Sequence, residues 1–243
     1  MGGRGISRQL ARMRRDWDRR AIENARHYVV TEKLHWSDEE FYGSGETAMQ
    51  EDILNDLTNI CQGKDPRQMR VLEIGCGAGR VTRAFAAFFG EVYAVDISRE
   101  MVRRARSAVA GFPGAHVFVN NGRDLSAVVD RWWNRLGVGS KPRFDFAFSS
   151  LVFQHISSRE IIENYVQDVY RRLRPGALFK FQVQGCPYGF SDAEETWVGA
   201  SFTPDQARGM AERCGFELRY QNGAGSQYYW LWYFKPPSER EHF

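Results

Sequence analysis

The residues with the clearest chemical potential are Glu73, Gly75, Cys76, Gly77 and Gly79, in the run Glu73-Ile-Gly-Cys-Gly-Ala-Gly79, together with Asp96. Alternating glycines let a chain turn tightly and bring its backbone against a ligand with no side chain in between. A helix opening behind such a turn offers unpaired N–H groups. Two ligand classes use turns of this kind. The dinucleotide pattern Gly-x-Gly-x-x-Gly requires glycine where this chain has Arg80, and Gly79 comes one residue early. Glu73 adds negative charge beside the site, which suits a cation better than a pyrophosphate.

S-adenosylmethionine carries a sulfonium and an ammonium, so it answers that description. Asp96 closes an apolar run, Val92–Asp96. A carboxylate there can accept from both hydroxyls of a ribose in either ligand class. In Val-Asp-Ile-Ser-Arg-Glu, Ser98 is the better helix cap, which leaves Asp96 for the ligand. Farther on, Phe153-Gln-His-Ile156 offers His155 as a general base, or as a histidine that bonds backbone and shapes the pocket. Tyr28, Trp36, Tyr42, Gln154 and Tyr228 are candidates for an acceptor pocket, or for plain packing.

These residues need a scaffold, and the pattern of the chain supplies one. Leu10, Met13, Trp17, Ala21, Ala25 and Tyr28 recur at helical spacing. A polar loop over 35–45 and a second helix over 46–60 complete an N-terminal helical segment, 1–64, expected to act as a cap or lid. From 65 to 243 the pattern becomes a Rossmann-like domain. Strands are expected at 71–74, 92–96, 117–120, 144–149 and 178–183. Helices are expected at 81–89, 100–110, 125–136 and 159–173, the last stopped by Arg174-Pro175-Gly176. Thr203 and Pro204 open a further helix, closed at Cys214-Gly215. The runs 216–220 and 228–234 then pair antiparallel, since no helix fits between them. The expected fold is α/β: a doubly wound, mostly parallel, seven-stranded sheet ending in an antiparallel hairpin.

The run from Glu73 to Gly79, then Val95-Asp96-Ile97-Ser98, then Leu173-Arg-Pro-Gly-Ala177, resembles the class I S-adenosylmethionine-dependent methyltransferase family. The resemblance covers residues 69–184 well and the terminal hairpin more loosely. It implies S-adenosylmethionine as cofactor. Glu73, Gly75, Cys76, Gly77 and Gly79 would shape the pocket for its amino-acid part. Asp96 would bind the ribose, and Ile97 and Met101 would pack beside the adenine. Asn121 and Gly122 would meet the adenine edge, with Asn121 standing where many relatives carry aspartate. Ser149 and Ser150 would border the methyl group.

The implied activity is in-line methyl transfer to a small-molecule acceptor at oxygen, nitrogen or carbon. A nucleic-acid or protein methyltransferase and a non-catalytic cofactor-binding module are the alternatives. The arginine-rich start speaks for the former, although such runs are usually solvated surface. Ser149-Ser-Leu-Val152 replaces the Asn/Asp-Pro-Pro-Tyr/Phe element of enzymes that methylate exocyclic base nitrogens. No Asp/Glu/His cluster has metal-ligand spacing, so no metal is expected. The four cysteines lack a Cys-x-x-Cys pair, and no apolar run is long enough to span a membrane. A cytoplasmic location is therefore expected. Nothing in the sequence specifies an oligomeric state.

Overall fold

The structure is a computed structural model, and residues 2–129, 142–186 and 196–237 are described. Its sheet has seven strands in the order β3-β2-β1-β4-β5-β7-β6. These are β1 (Arg70–Ile74), β2 (Glu91–Asp96), β3 (Ala115–Val119), β4 (Phe144–Ser149), β5 (Leu173–Val183), β6 (Glu217–Asn222) and β7 (Tyr229–Phe234). β1 to β5 run parallel, and β7 pairs antiparallel with both β5 and β6. The doubly wound sheet with its terminal hairpin is the architecture expected from sequence.

The helices are α1 (Gly2–Val29), α2 (Asp38–Asp52), α3 (Leu57–Cys61), α4 (Arg80–Phe88), α5 (Arg99–Ala108), α6 (Arg159–Arg172) and α7 (Pro204–Cys214). Strand alternation sorts them between the two faces. Val71 and Phe146 pack with Met49, Ile60 and Phe85 from α2, α3 and α4. Leu72, Ala147 and Phe179 pack with Val166 and Met210 from α6 and α7. Leu10 and Met13 of α1 belong to this second core, so the N-terminal helix and the sheet share one hydrophobic interior.

Several boundaries differ from expectation for local reasons. The expected loop over 35–45 is already helical from Asp38, because Ser37 and Glu40 form a reciprocal capping box. The second helix does not run to residue 60. It stops at Asp52, a 3-10 turn spans Leu54–Asp56, and α3 follows. β5 begins at Leu173 rather than 178, since Arg174-Pro175-Gly176 continues as extended chain beside β7, with Gly176 N–H bonded to Lys235 O. Of the helix expected at 125–136, only 125–129 are described. They contain a turn closed by Val128 N–H on Leu125 O; the rest, with Trp132 and Trp133, lies outside the described residues.

Candidate functional site

A cleft opens at the carboxyl ends of the central strands, where the chain order reverses between β1 and β4. Ligands of open α/β sheets bind at such a crevice. Glu73, Gly75, Cys76, Gly77, Asp96, Ile97, Met101, Ser150, His155 and Tyr28 all line it. About 900 Å³ of open space lies in it, including solvent at its mouth.

The glycine turn is built by backbone requirements. Gly75 has φ +77, and a Cβ there would lie 2.1 Å from Val152 Cγ2. Gly79 has φ +88, and a Cβ there would lie 3.0 Å from both Ala105 Cα and Ala108 Cβ. Gly79 does not line the cleft. It permits the start of α4 to press against α5.

Glu73 projects from β1 and is 4% exposed. Its Oε2 has no hydrogen-bond partner. Burial pushes its carboxyl up to about 7, against the opposing pull of nearby Arg80. Arg80 lines the same cleft, donates to Ser44 O at 2.9 Å and leaves its buried Nε unsatisfied. Sequence reasoning treated Arg80 only as a missing glycine. An orphaned carboxylate oxygen and an orphaned guanidinium N–H in one cleft fit a zwitterionic ligand carrying both an ammonium and a carboxylate.

Asp96 ends β2. Its Oδ2 accepts from Gly77 N–H at 2.9 Å and its Oδ1 from Ser98 N–H at 2.8 Å. Ser98 does cap α5, accepting from Met101 N–H at 3.1 Å. Asp96 is therefore not free, as the capping argument had it; each of its oxygens keeps one lone pair for a ligand. Burial pushes this carboxyl up to about 6, despite the two backbone donors.

His155 lies in a 3-10 turn, Phe153–His155, just beyond β4. Its ring centroid is 5.4 Å from that of Trp17 and 4.8 Å from that of Trp197. Nδ1 is bonded to the Trp197 carbonyl, which can only accept, so the proton sits on Nδ1 and Nε2 is the acceptor. The Gln154 amide lies 3.3 Å from Nε2. Burial holds the imidazole down to about 4, with Arg20 nearby acting in the same direction. The ring is neutral at physiological pH and a weak proton acceptor.

Other sequence candidates fall outside the cleft lining. The Asn121 side chain holds its own turn, accepting from Arg123 and Asp124 N–H, and it is exposed. Asn120 lines the cleft instead, donating to Tyr165 Oη at 2.8 Å and accepting from Gly122 N–H at 3.0 Å. Strict alternation along β3 could have separated the two asparagines. Ser149 is turned inward, donating to Ile74 O. Gln154 supports the His155 ring. Trp36 donates to Val30 O and packs on Phe41. Tyr42 lies on a separate surface pocket, and Tyr228 is exposed beside the β6–β7 turn.

Sequence reasoning missed Met13, Trp17 and Val29, which α1 lays over the cleft, and Leu151, Val152 and Ile156 beyond β4. Leu151 adopts φ +60, a left-handed conformation unusual for a branched residue. Its N–H is held by Gln182 Oε1 at 2.9 Å. Such strain persists where the surroundings impose it, often beside functional sites. No cluster of metal-ligating side chains occurs among the described residues, and none of their helices is long and apolar enough to cross a membrane.

The sheet order and the cleft are those of the class I methyltransferase fold, shared with a solved methyltransferase structure. Residues 71–176 match the family model described as a methyltransferase domain. The chain is similar to malonyl-[acyl-carrier protein] O-methyltransferases. It is 32% identical to the Enterobacter lignolyticus protein over 115 residues, covering 47% of this chain and 39% of that one. It is 27% identical to the Salmonella typhimurium protein over 144 residues, covering 56% of this chain and 50% of that one. The matches thus span half or less of the length of these curated relatives. Among solved structures, magnesium protoporphyrin IX methyltransferase from Synechocystis PCC 6803 with bound S-adenosylhomocysteine superposes with a TM-score of 0.66. At 13% identity it covers 93% of this chain and 99% of that chain.

Proposed function

We propose that this chain binds S-adenosylmethionine in the cleft and methylates a carboxylate oxygen of a small-molecule acceptor by in-line displacement. The observation that carries the cofactor is the orphaned Glu73 Oε2, buried in the same cleft as Asp96 and the glycine turn. Glu73 and Arg80 would hold the ammonium and carboxylate of the cofactor's amino-acid part, and Asp96 its ribose hydroxyls. Ile97 and Met101 would cover the adenine, with Asn120 rather than Asn121 at its edge. When bound, the cofactor supplies a methyl group already activated by a sulfonium.

The chain then has to align an acceptor and keep water out. α1 does the second with Met13, Trp17 and Val29, so residues 1–64 serve as a lid on the methyltransferase domain. Alignment alone can supply much of the rate of a displacement at an activated carbon. The acceptor class follows from His155. A neutral imidazole with its pKa near 4 is a poor base for an amine or an alcohol. A carboxylate is already anionic at neutral pH and needs no base. The curated relatives are O-methyltransferases by name, which supports the same choice.

Calorimetric titration with S-adenosylhomocysteine, on the wild type and on Asp96→Ala, tests the cofactor. A mass-spectrometric screen of carboxylic acids, amines and phenols with S-adenosylmethionine tests the acceptor. Methyl esters as the main products support the proposal. N-methyl or phenolic products would remove the carboxylate assignment, and absence of S-adenosylhomocysteine binding would remove the whole reading.

A further inference from the structure

Positive charge is concentrated on one side of the fold. α1 and α5 together contain twelve arginines and four carboxylates, a surplus of eight in a chain of net charge +3. Asp18 ties the two helices together, accepting from Ser98 Oγ at 2.7 Å and from Glu100 N–H at 3.3 Å.

Where these helices meet α2 and α4, Arg26, Tyr42, Arg83, Arg103, Arg104 and Ser107 surround a polar surface pocket. Ala78 of the glycine turn forms part of its wall, so the pocket lies on the back of the turn that lines the cleft. The donors are unequally spent. Asp38, the one carboxylate in the lining, is paired with Arg26. Glu100 takes two bonds from Arg103, at 2.8 and 2.7 Å, and one from Arg104 Nε at 2.9 Å. Arg83 has no ion-pair or hydrogen-bond partner among the described residues, and its guanidinium stacks on the Tyr42 ring at 4.6 Å. A planar guanidinium fixed against an aromatic face, with its donors unspent, is preorganised for an oxyanion. A tetrahedral anion can take donors from several directions at once, from Arg83 and the terminal nitrogens of Arg104; the Ser107 hydroxyl is spent on the Arg103 carbonyl at 3.3 Å.

We propose that this pocket is a second binding site, for a phosphate group, on the outer side of the glycine turn. The group is either free inorganic phosphate or the phosphomonoester of a larger molecule. The field of α1 and α5 draws such an anion in, and Arg83 and Arg104 hold it.

The full-length protein is titrated at fixed ionic strength with inorganic phosphate and, separately, with glycerol 3-phosphate. Binding is followed by calorimetry and by amide shifts of the α4 and α5 residues. Saturable binding is expected, at least tenfold weaker in the double variant Arg83→Ala/Arg104→Ala. It should be unchanged in Arg99→Ala, an exposed arginine of α5 outside the pocket lining. Tighter binding of the ester assigns the site to a phosphate carried on a larger molecule, and equal binding assigns it to the free ion. Absence of saturation, or an equal loss in Arg99→Ala, would overturn the proposal in favour of simple screening. Far-UV circular dichroism establishes that each variant is folded. Because the readout is phosphate binding, it stands or falls separately from S-adenosylhomocysteine binding in the cleft.

Discussion

The Gly77 amide donates to Asp96 Oδ2 at 2.9 Å, so the carboxylate at the end of β2 also holds the middle of the glycine turn. The same side chain fixes Ser98, the cap of α5, through its other oxygen. One residue thereby ties the glycine turn to the start of α5. Asp96→Ala removes two charge-assisted hydrogen bonds as well as any bond to a ribose. Calorimetry should show S-adenosylhomocysteine affinity falling by about a hundredfold or more, since each such bond contributes about 1.5–3 kcal/mol. A loss below threefold would mean that Asp96 shapes the turn without touching the ligand.

Glu73 makes the cleft pH-sensitive. Its carboxyl is raised from 4.5 to about 7 in the folded protein, chiefly by burial. The folded state therefore holds a proton that the unfolded state has released, and that contribution to stability is full below pH 4.5 and lost as pH rises through 7. The ligand-free protein should melt at a lower temperature at pH 8 than at pH 5.5, and Glu73→Gln should flatten the difference. An ammonium-bearing ligand prefers the ionised carboxylate, so affinity should rise over the same interval with release of a proton. Calorimetry in buffers of different ionisation enthalpy reads that proton directly.

The parts legible from sequence were those with strong local signals. Short apolar runs set between helical stretches located the strands, and the Thr203–Gly215 helix has the cap and stop its residues suggest. Glu73 to Gly77 and Asp96 reached the cleft because their positions follow from strand ends. Arg80, Asn120, Trp17 and Leu151 escaped because their roles arise from tertiary packing. Arg80 sits where α2 crosses α4 so closely that a Cβ on Gly45 would lie 2.1 Å from Arg80 O, and its guanidinium is held by Ser44 O of α2. Trp17 reaches His155 only because α1 folds back across the sheet. Asn121 was chosen over its neighbour because the end of a strand, on which side-chain direction depends, is the least certain feature of a sequence.

Gly79 couples α4 to α5 without touching the cleft. Alanine at this position meets a positive φ of +88 and contacts of 3.0 Å with Ala105 and Ala108. Backbone strain and overpacking together should cost about 2–4 kcal/mol. Thermal unfolding should show a midpoint lowered by roughly 5–12 °C. An unchanged midpoint would mean that α5 shifts freely, against the buried packing of Val102 and Ala105.

His155 should behave as a shaped wall rather than as a proton acceptor. With its pKa near 4, its protonation state does not change between pH 6 and 8. His155→Gln should therefore lower methyl transfer by less than about tenfold and leave the pH profile in that range unaltered, whereas loss of a general base removes about 10²–10⁴. Nitrogen chemical shifts of the ring should report a neutral Nδ1–H tautomer at pH 6. A ring that titrates near pH 7, with a hundredfold loss in the variant, would restore the base role.

α1 is fastened over the cleft by a clasp centred on Trp17. The Arg20 guanidinium lies 4.9 Å from the Trp17 ring and 5.0 Å from the Trp197 ring. Arg20 also donates to Thr196 Oγ1 at 3.1 Å, and Arg14 donates to Asn120 O at 3.0 Å. The helix is not continuous beneath this clasp. Asn24 has φ −162 and ψ 81, and its side chain bonds both His27 N–H and Leu34 O. If α1 opens for ligand exchange, as the proposed lid role requires, the break at Asn24 is the place about which the residues before it would turn. Trp17→Ala removes a half-buried ring and its stacking partners, a loss of about 2 kcal/mol from the closed state. Hydrogen exchange over residues 10–20 should accelerate by about tenfold or more, and S-adenosylhomocysteine should dissociate faster with a smaller change in its association rate. Exchange unaltered in α1 would show that the helix is held by its Leu10 and Met13 packing alone, and ligand exchange would then need a different route past Val29.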